Sequence, residues 1–443
     1  LITNLSLGKS NAPVTLTTAA TGSTAKNIGV LAGYCNNNSN YSTLIDNVQI
    51  WAEVTHTGGK ANIGGFLGTS RRCAILESSF AGSIGGNLSN LGNNWLNVGG
   101  FVADVEADQT LFYRCVNYAD VSISTTAGSD VRTAGFVAYA TKNNEFVDCA
   151  NFGSIRTSGG NAPVAAGFQG NNNGTSKVLV YGCTNFGDIQ SDRYASGFFS
   201  WAKNPAVMMD AVNLGNVSGE AGADAFYNDN TEDGYTVSKL FCSDAENDLN
   251  FAMLPGASVR LNTPAGLRFA AQMNTEGLYY ERLLRYTGVS YGVLIAPTVY
   301  VTNAGAFTRE ALDAYASGTL GYTGEQRAYV EVESTGAWFG GAAGSVAGSL
   351  VNIRAEHYGS SFSGVGYIDL TVGGETVRTV YAADAQARCV KDVAAAALDD
   401  VLYADADGTL YHADGSVYSG ADENYVHVVE SGLTLEGVAG EVS

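Results

Sequence analysis

A single short phrase recurs seven times between Ile28 and Asp244: a small residue, a large apolar one two places on, and a second small one two places further. Its cores are Gly29-Leu31-Gly33, Gly64-Phe66-Gly68, Gly99-Phe101-Ala103, Ala134-Phe136-Ala138, Ala166-Phe168-Gly170, Ser196-Phe198-Ser200 and Asp224-Phe226-Asn228. The central residues, at 31, 66, 101, 136, 168, 198 and 226, step by 35, 35, 35, 32, 30 and 28 positions. A period in this range marks stacked structural units, each too small to bury its own apolar face.

A second phrase follows in the better-formed repeats: Cys115-Val-Asn117-Tyr118, Cys149-Ala-Asn151-Phe152, Cys183-Thr-Asn185-Phe186 and Ala211-Val-Asn213-Leu214. A third apolar position comes next, at Val121, Ile155, Ile189 and Val217. Three short alternating stretches separated by Gly, Asn and Ser corners predict three strands per turn of a parallel β-helix of about seven coils. If Gln169 and Arg114 face water, strand alternation sends Phe168 and Cys115 inward. The phenylalanines are then expected to stack about 4.8 Å apart, with the flanking small residues leaving room for the rings. The same parity sends in Tyr113 with Cys115, Val147 with Cys149, Tyr181 with Cys183, and Met209 with Ala211. Asn117, Asn151, Asn185 and Asn213 fall at a corner, where an Asn side chain can bridge backbone groups of adjacent coils and tolerates left-handed dihedrals, and they predict an asparagine ladder. Asp224, Asn228 and Cys242-Ser-Asp replace the regular phrases in the last repeat, which predicts that the coil ends there.

The chain has 443 residues, 55 of them glycine, and a net charge of −20 although only 15% of its residues are charged. Low charge density with many Asn, Ser and Thr suits a loop-rich, all-β extracellular protein. The acidic balance argues against nucleic acid, whose phosphates need clustered Lys and Arg, and against electrostatic docking on anionic membranes. No run of apolar residues is long enough for direct membrane insertion. The chain is expected to be a mature or excised part of an exported protein, its export signal and anchor outside the numbering. Seven scattered cysteines without a Cys-x-x-Cys do not describe a disulfide scaffold or a zinc ribbon.

Gly64-Gly65-Phe66-Leu67-Gly68, followed by the Cys-x-Asn phrases, resembles the GLUG-type repeats of bacterial, largely clostridial, surface proteins. The resemblance covers roughly residues 1–250. Ala103 and Ala138 depart from it at the closing Gly, and Ala119 at the Gly after the Asn phrase. It implies a secreted, wall-associated β-helix of Gram-positive type and carries no catalytic residues.

The period stops near Leu249, and Pro255-Gly256 reads as a break. Strands are predicted around Val259–Leu261, Gly266–Met273, Ser290–Ile295, Tyr329–Glu333, Leu350–Arg354, Ser363–Val372 and Thr376–Tyr381. Helices are predicted after the capping residue Thr308 and from Asp384 to Asp399. The organisation expected is therefore a repeat region over 1–250, a sandwich-like β domain with two short helices over 256–402, and a tail over 403–443. The tail's hairpins turn at Asp407-Gly408 and Asp414-Gly415. Gly266-Leu-Arg-Phe, Tyr291-Gly-Val-Leu-Ile-Ala-Pro and Gly366-Tyr-Ile together resemble a module that recurs beside such repeats in gut clostridial surface proteins.

Candidate chemistry is sparse. Gly8-Lys9-Ser10 lacks the first glycine of a phosphate loop, Thr3 standing in its place. Asp405-x-Asp407-Gly408 reads as a hairpin turn before a calcium loop. The column Cys115, Cys149, Cys183 reads as packing, a bridge between adjacent rungs being the alternative. The four histidines form no metal or triad motif. Glu331 and Glu333 share a strand face, the arrangement of a solvated edge before that of a hydrolytic pair. Trp95, Trp201 and Trp338 lie beside polar loops, where ring faces suit sugars or plug corners. No catalytic, cofactor-binding, metal or ligand-binding residue is assigned, and no cofactor is expected. The expected role is that of a non-enzymatic, secreted or cell-wall-associated adhesin on host or dietary glycan or extracellular protein. The alternatives are a β-helix carbohydrate-active enzyme (lyase or glycosidase) and a structural spacer or assembly subunit.

Overall fold

In the computed structural model the described residues are 1–390, except 20–24, 37–41, 89–93, 127–129, 173–176, 203–205, 229–236, 246, 256–257, 261–265 and 335–341, together with four short strands beyond 402. The chain divides into two compact units, Leu1–Asn247 and Asp248–Ser443.

The first unit is a parallel β-solenoid. Seven strands, Lys26–Gly29, Ala61–Gly64, Trp95–Gly99, Asp130–Ala134, Val164–Ala166, Tyr194–Ser196 and Gly222–Asp224, stack in one parallel sheet and bound six complete turns. Every pairing between turns is parallel and joins equivalent residues, as in Thr133 with Val98 and Ala165. Among the described residues the first two turns hold the three strands expected (Lys26–Gly29, Ala32–Cys35 and Thr43–His56; Ala61–Gly64, Leu67–Leu76 and Ser79–Leu88), and later turns are cut finer. The fourth contains five: Asp130–Ala134, Val137–Ala140, Asn144–Val147, Ala150–Asn151 and Ile155–Ser158.

The phenylalanine of each phrase sits at a bend between two strands, not within one. Phe66, Phe101, Phe136, Phe168, Phe198 and Phe226 form a continuous stack with centroids 4.7, 4.8, 5.0, 4.6 and 5.7 Å apart. Phe112 and Phe146 stack at 5.1 Å and meet this column edge-on. Fully burying each ring contributes roughly 1.5–3 kcal/mol before ordering entropy. The small residues answer to backbone, not to rings: a Cβ on Gly64 would lie 1.9 Å from the Leu67 carbonyl oxygen, and one on Gly68 2.4 Å from Ile28 N.

Of the inward pairs expected on the second strand, Cys115, Cys149, Cys183 and Ala211 are buried, but their partners are misplaced by one residue. Phe112, Phe146, Val180 and Met208 are buried, whereas Tyr113, Val147 and Met209 are half-buried and Tyr181 is exposed. The reason is a left-handed residue in every turn: Asn4, Asn47, Glu77, Arg114, Asp148, Gly182, Asp210 and Phe241 all have φ between 47 and 65°. Such a residue breaks alternation, so Phe112 and Cys115 both point inward with two outward residues between them. Gln169, expected to face water, is buried and accepts a 2.8 Å hydrogen bond from Asn144.

The asparagine ladder is present and lies inside. Asn117 Nδ2 donates to Asn151 Oδ1, Asn151 to Asn185, and Asn185 to Asn213, each at 2.8 Å; Asn213 donates to Asp244 at 3.2 Å. Each Nδ2 also donates to the carbonyl two residues on, at Ala119, Gly153, Gly187 and Gly215. A carbonyl only accepts, so this second bond fixes which amide atom is nitrogen and gives the ladder one direction. None of these asparagines is left-handed. They fit because a glycine faces each: a Cβ on Gly135 would lie 2.2 Å from Asn151 Oδ1, and on Gly100, Gly167 and Gly197 it would lie 2.6, 2.6 and 2.4 Å from the Oδ1 of Asn117, Asn185 and Asn213. Asn117 is in register with Phe80, and its Oδ1 has no hydrogen-bond partner among the described residues. Asp224 takes the amides of Phe226 and Tyr227 on its carboxylate, and parallel pairing ends at Val237–Leu240 and Ser243–Asp244, as the degraded last repeat predicts.

Between 248 and 390 the second unit contains two antiparallel sheets. One holds Ala252–Met253, Ser258–Arg260, Gly266–Gln272 and Ser345–Val351; the other holds Gly288–Pro297, Val330–Glu333, Phe362–Val372, Glu375–Tyr381 and Gln386–Arg388. They pack face to face: a Cβ on Gly364 would lie 2.4 Å from the Phe269 ring, and one on Gly348 2.8 Å from Val293 Cβ. Among the described residues three α-helices have full bounds, α1 (Leu278–Tyr286), α2 (Thr298–Ala304) and α3 (Arg309–Gly318). Only α3 is expected from the sequence, and the Thr308 side chain accepts from Ala311 N as its cap requires. Of the helix predicted over 384–399, Gln386–Arg388 is a strand and residues 391–399 lie outside those described. In the tail, Tyr403–Ala404 pairs antiparallel with Leu410–Tyr411 and so brackets Asp407-Gly408, whereas Asp414-Gly415 lies outside the described residues.

Candidate functional site

After each bend the chain folds back, so the strand before the phenylalanine and the strand after it face one another. In Ala61–Gly64, Ile63 belongs to the core, and Asn62 on the opposite face meets Thr69 of the returning strand at 3.2 Å. Successive turns make this a polar seam. Asn62 donates to Asn27 Oδ1 at 3.0 Å and lies 3.4 Å from Asp104 Oδ2. Asn97 donates to Asn62 Oδ1 at 2.9 Å, and Arg132 Nη1 donates to Asn97 Oδ1 at 3.2 Å. Arg132 can only donate, so its bond orients both amides, and this ladder runs opposite to the inner one.

Arg132 is held by Asp130 at 3.2 Å and lies over the Tyr139 ring at 4.9 Å. Asp104 is 7% exposed. Its Oδ1 and Arg132 Nε have no hydrogen-bond partner among the described residues. Burial pushes the Asp104 carboxyl up to about 7; the nearby Glu106 carboxylate adds to this, and the Asn62 hydrogen bond and Arg132 offset part of it. Burial also pushes the Arg132 guanidinium down, against the pull of Asp130. At the rim, Glu106 accepts from Arg71 at 2.9 Å and from the Tyr34 hydroxyl at 3.1 Å.

Register places Tyr34, Thr69, Asp104, Tyr139, Asn171 and Trp201 in one column. Aromatic rings therefore recur at the first, fourth and sixth turns, with hydroxyl, carboxyl and amide groups between them. Tyr194, on the facing strand, lies 6.1 Å from Trp201. Cations cover several of these rings: Lys60 lies over Trp95 at 4.3 Å and Arg193 over Tyr194 at 5.0 Å.

The residues singled out in the sequence do not converge here. Trp95 and Trp201 are half-buried near the seam, and Trp338 lies outside the described residues, as does 405–408. Gly8-Lys9-Ser10 is a tight turn in which Lys9 bridges Ala12, with no helix after it. Cys115, Cys149 and Cys183 are buried free thiols stacked through amide-to-sulfur contacts of 3.4 and 3.3 Å. Glu331 binds Arg309, which also holds Asp369 through two bonds of 2.8 and 2.9 Å and lies over Tyr367 at 4.2 Å. That network ties the first residue of α3 to a sheet face, where the carboxylates offset a cation placed unfavourably at a helix start. The seam residues were missed in the sequence although a signal was there: positions 27, 62, 97 and 132 keep the 35-residue step and read Asn, Asn, Asn, Arg.

Among the described residues no group of three or more His, Cys, Asp or Glu is placed to hold a metal, and no helix is long and apolar enough to cross a membrane. Comparison with known proteins finds no matching family model, no matching curated protein and no matching solved structure.

Proposed function

We propose that the solenoid is a non-enzymatic binding scaffold, secreted and displayed at a cell surface, that engages an extended, uncharged glycan along the exposed rim of the polar seam. The register column carrying Tyr34, Tyr139 and Trp201 supports this reading. Aromatic faces stack on sugar rings, and at the rim the partly exposed Arg71 guanidinium and Glu106 carboxylate match pairs of hydroxyls. The rung repeat of about 4.8 Å is close to the advance of one sugar along an extended chain, so one polymer meets several weak sites in succession. A net charge of −20 disfavours polyanionic sugars. The repeats' resemblance to GLUG-type surface proteins agrees with an extracellular place of action.

The test is a glycan array followed by titration calorimetry on the best neutral hit. Tyr139→Ala combined with Trp201→Ala is expected to weaken binding at least tenfold while far-UV circular dichroism stays unchanged. Failure to bind any glycan would leave a spacer or assembly subunit as the better reading. The Asp104 carboxyl, raised to about 7 beside Glu106, favours a hydrolase or lyase as the second reading. Release of shorter sugars from a bound polymer, abolished by Asp104→Asn, would replace the first reading with that one.

A further inference from the structure

Six of the seven cysteines lie in the solenoid, and they are not equivalent. Cys115, Cys149 and Cys183 are fully buried, and the Cys149 and Cys183 thiols donate to the carbonyls of Val147 and Tyr181. Cys35 and Cys73 sit elsewhere, on the first and second turns. Cys35 is in register with Ser70, and Cys73 with Thr43. Cys35 Sγ lies 3.0 Å from Thr43 Oγ1, so it reaches the side chain paired with Cys73, and the two thiols are near enough to shift one another's protons. Cys35 is partly exposed, and Cys73 lines an open hollow of about 390 Å³ with Ser42, Arg72, Ala74, Gln109 and Leu111.

We infer that Cys35 and Cys73 form an oxidisable pair that closes a disulfide between the first two turns, with Cys35 as the attacking sulfur. The two thiols are polarised in the sense this needs. The Cys73 thiol, aided by Thr43, pulls the Cys35 thiol down to about 6 despite its burial, and Cys35 together with burial pushes Cys73 far up. Near neutral pH Cys35 is a thiolate facing a Cys73 thiol. The oxidant is a low-molecular-weight disulfide. Cys35 attacks one of its sulfurs, forming a mixed disulfide and expelling the first thiolate. With the Cys35 charge gone, the main cause holding the Cys73 proton disappears. Cys73 gives that proton to the departing thiolate or to solvent and attacks Cys35 Sγ, which expels the second thiol. Two protein thiols are oxidised and one disulfide is reduced to two thiols. The bridge ties the outermost described turns, whose residues Ile2, Leu5, Ile28 and Leu31 are only partly buried, to the closed core beyond them.

The experiment treats the full chain with oxidised glutathione at neutral pH, blocks remaining thiols, and maps the unreduced digest by mass spectrometry. A cross-linked Cys35–Cys73 peptide lighter by two hydrogens is expected, with Cys115, Cys149 and Cys183 alkylated only after unfolding. Cys73→Ser is expected to trap Cys35 as its glutathione adduct. A stable Cys35 adduct in the unsubstituted chain, a Cys73–Cys115 bridge, or no bridge would overturn the inference. A second measurement needs no cross-link: iodoacetamide alkylation of Cys35 is expected to rise with a midpoint near pH 6, and at that pH to slow several-fold in Cys73→Ala. An unshifted profile would overturn the assignment of Cys35 as the attacking sulfur.

Discussion

In the solenoid a side chain's principal neighbour is its own counterpart one turn away, whereas in the second unit no contact repeats. Phe136 lies between Phe101 and Phe168, and Asn151 between Asn117 and Asn185. Arg309, by contrast, meets Asp369, Glu331, Tyr367 and Thr379, four residues brought together once by antiparallel pairing and a helix. A column spreads one chemical choice over many turns, so its worth at any position depends on how far that position stands from an end. A unique network has no interior and no end, and losing a member exposes all the others at once.

The sharpest way to break this comparison is Phe136→Ala, which interrupts the ring stack in mid-column. A loss of about 3–5 kcal/mol in the solenoid's urea unfolding free energy is expected, and a cost below 1 kcal/mol would mean the column relaxes as a unique core does not. The seam gives the next largest effect, through pH. The Asp104 carboxyl is held near 7 in the fold, against about 3.9 in an unfolded chain, so the folded state binds the extra proton in that window. Stability is therefore fully present below about pH 4, declines as pH rises toward 7, and is level above it. Relative to Asp104→Asn, which has no such proton, the unsubstituted solenoid is expected to lose on the order of 2–4 kcal/mol between pH 4 and 8. Parallel pH profiles for the two proteins would count against a buried, protonated Asp104.

Position within a column is tested by Asn151→Leu against Asn117→Leu. The first strands a donor on one side and an acceptor on the other and is expected to cost about 1–3 kcal/mol. The second removes an amide whose oxygen already lacks a partner and should cost visibly less. Equal costs would show that place along the ladder does not matter. The smallest effect concerns caps in the second unit. Asp248 accepts from the Leu278 and Tyr279 amides at 2.7 and 2.8 Å and so caps α1 from thirty residues away. Asp248→Ala and Thr308→Ala are each expected to cost about 1 kcal/mol in chemical denaturation, with the Asp248 change the larger because it removes two bonds.

These contrasts explain what could be read in advance. The ring stack, the asparagine ladder and the end of the coil follow from residues recurring at one spacing, because in a parallel stack spacing along the chain becomes contact. The facing of Tyr113 and Tyr181 was misread because a left-handed residue leaves little trace in sequence when Glu, Arg, Asp, Gly and Phe all occupy it. Helix α1 was missed because its own cap position is Gly277, the capping carboxylate being remote. Helix α2 was missed because Thr298-Val-Tyr-Val-Thr reads as strand, and it buries nothing that would betray a helical period. The seam was half legible: the step of its asparagines is visible, but their burial depends on a fold-back at the phenylalanine bend that no local pattern announces.

The inner ladder's direction has one more consequence. From Asn151 on, each amide accepts from the turn before and passes a hydrogen to the turn after, so a further asparagine turn spliced into the middle would find both partners waiting. Asp244 accepts from Asn213 and, unlike an asparagine, has no side-chain N–H to hand on. Evolution can lengthen this coil by duplication anywhere between Asn117 and that carboxylate, but a turn added beyond it inherits nothing to grow from; one acidic side chain serves as the full stop.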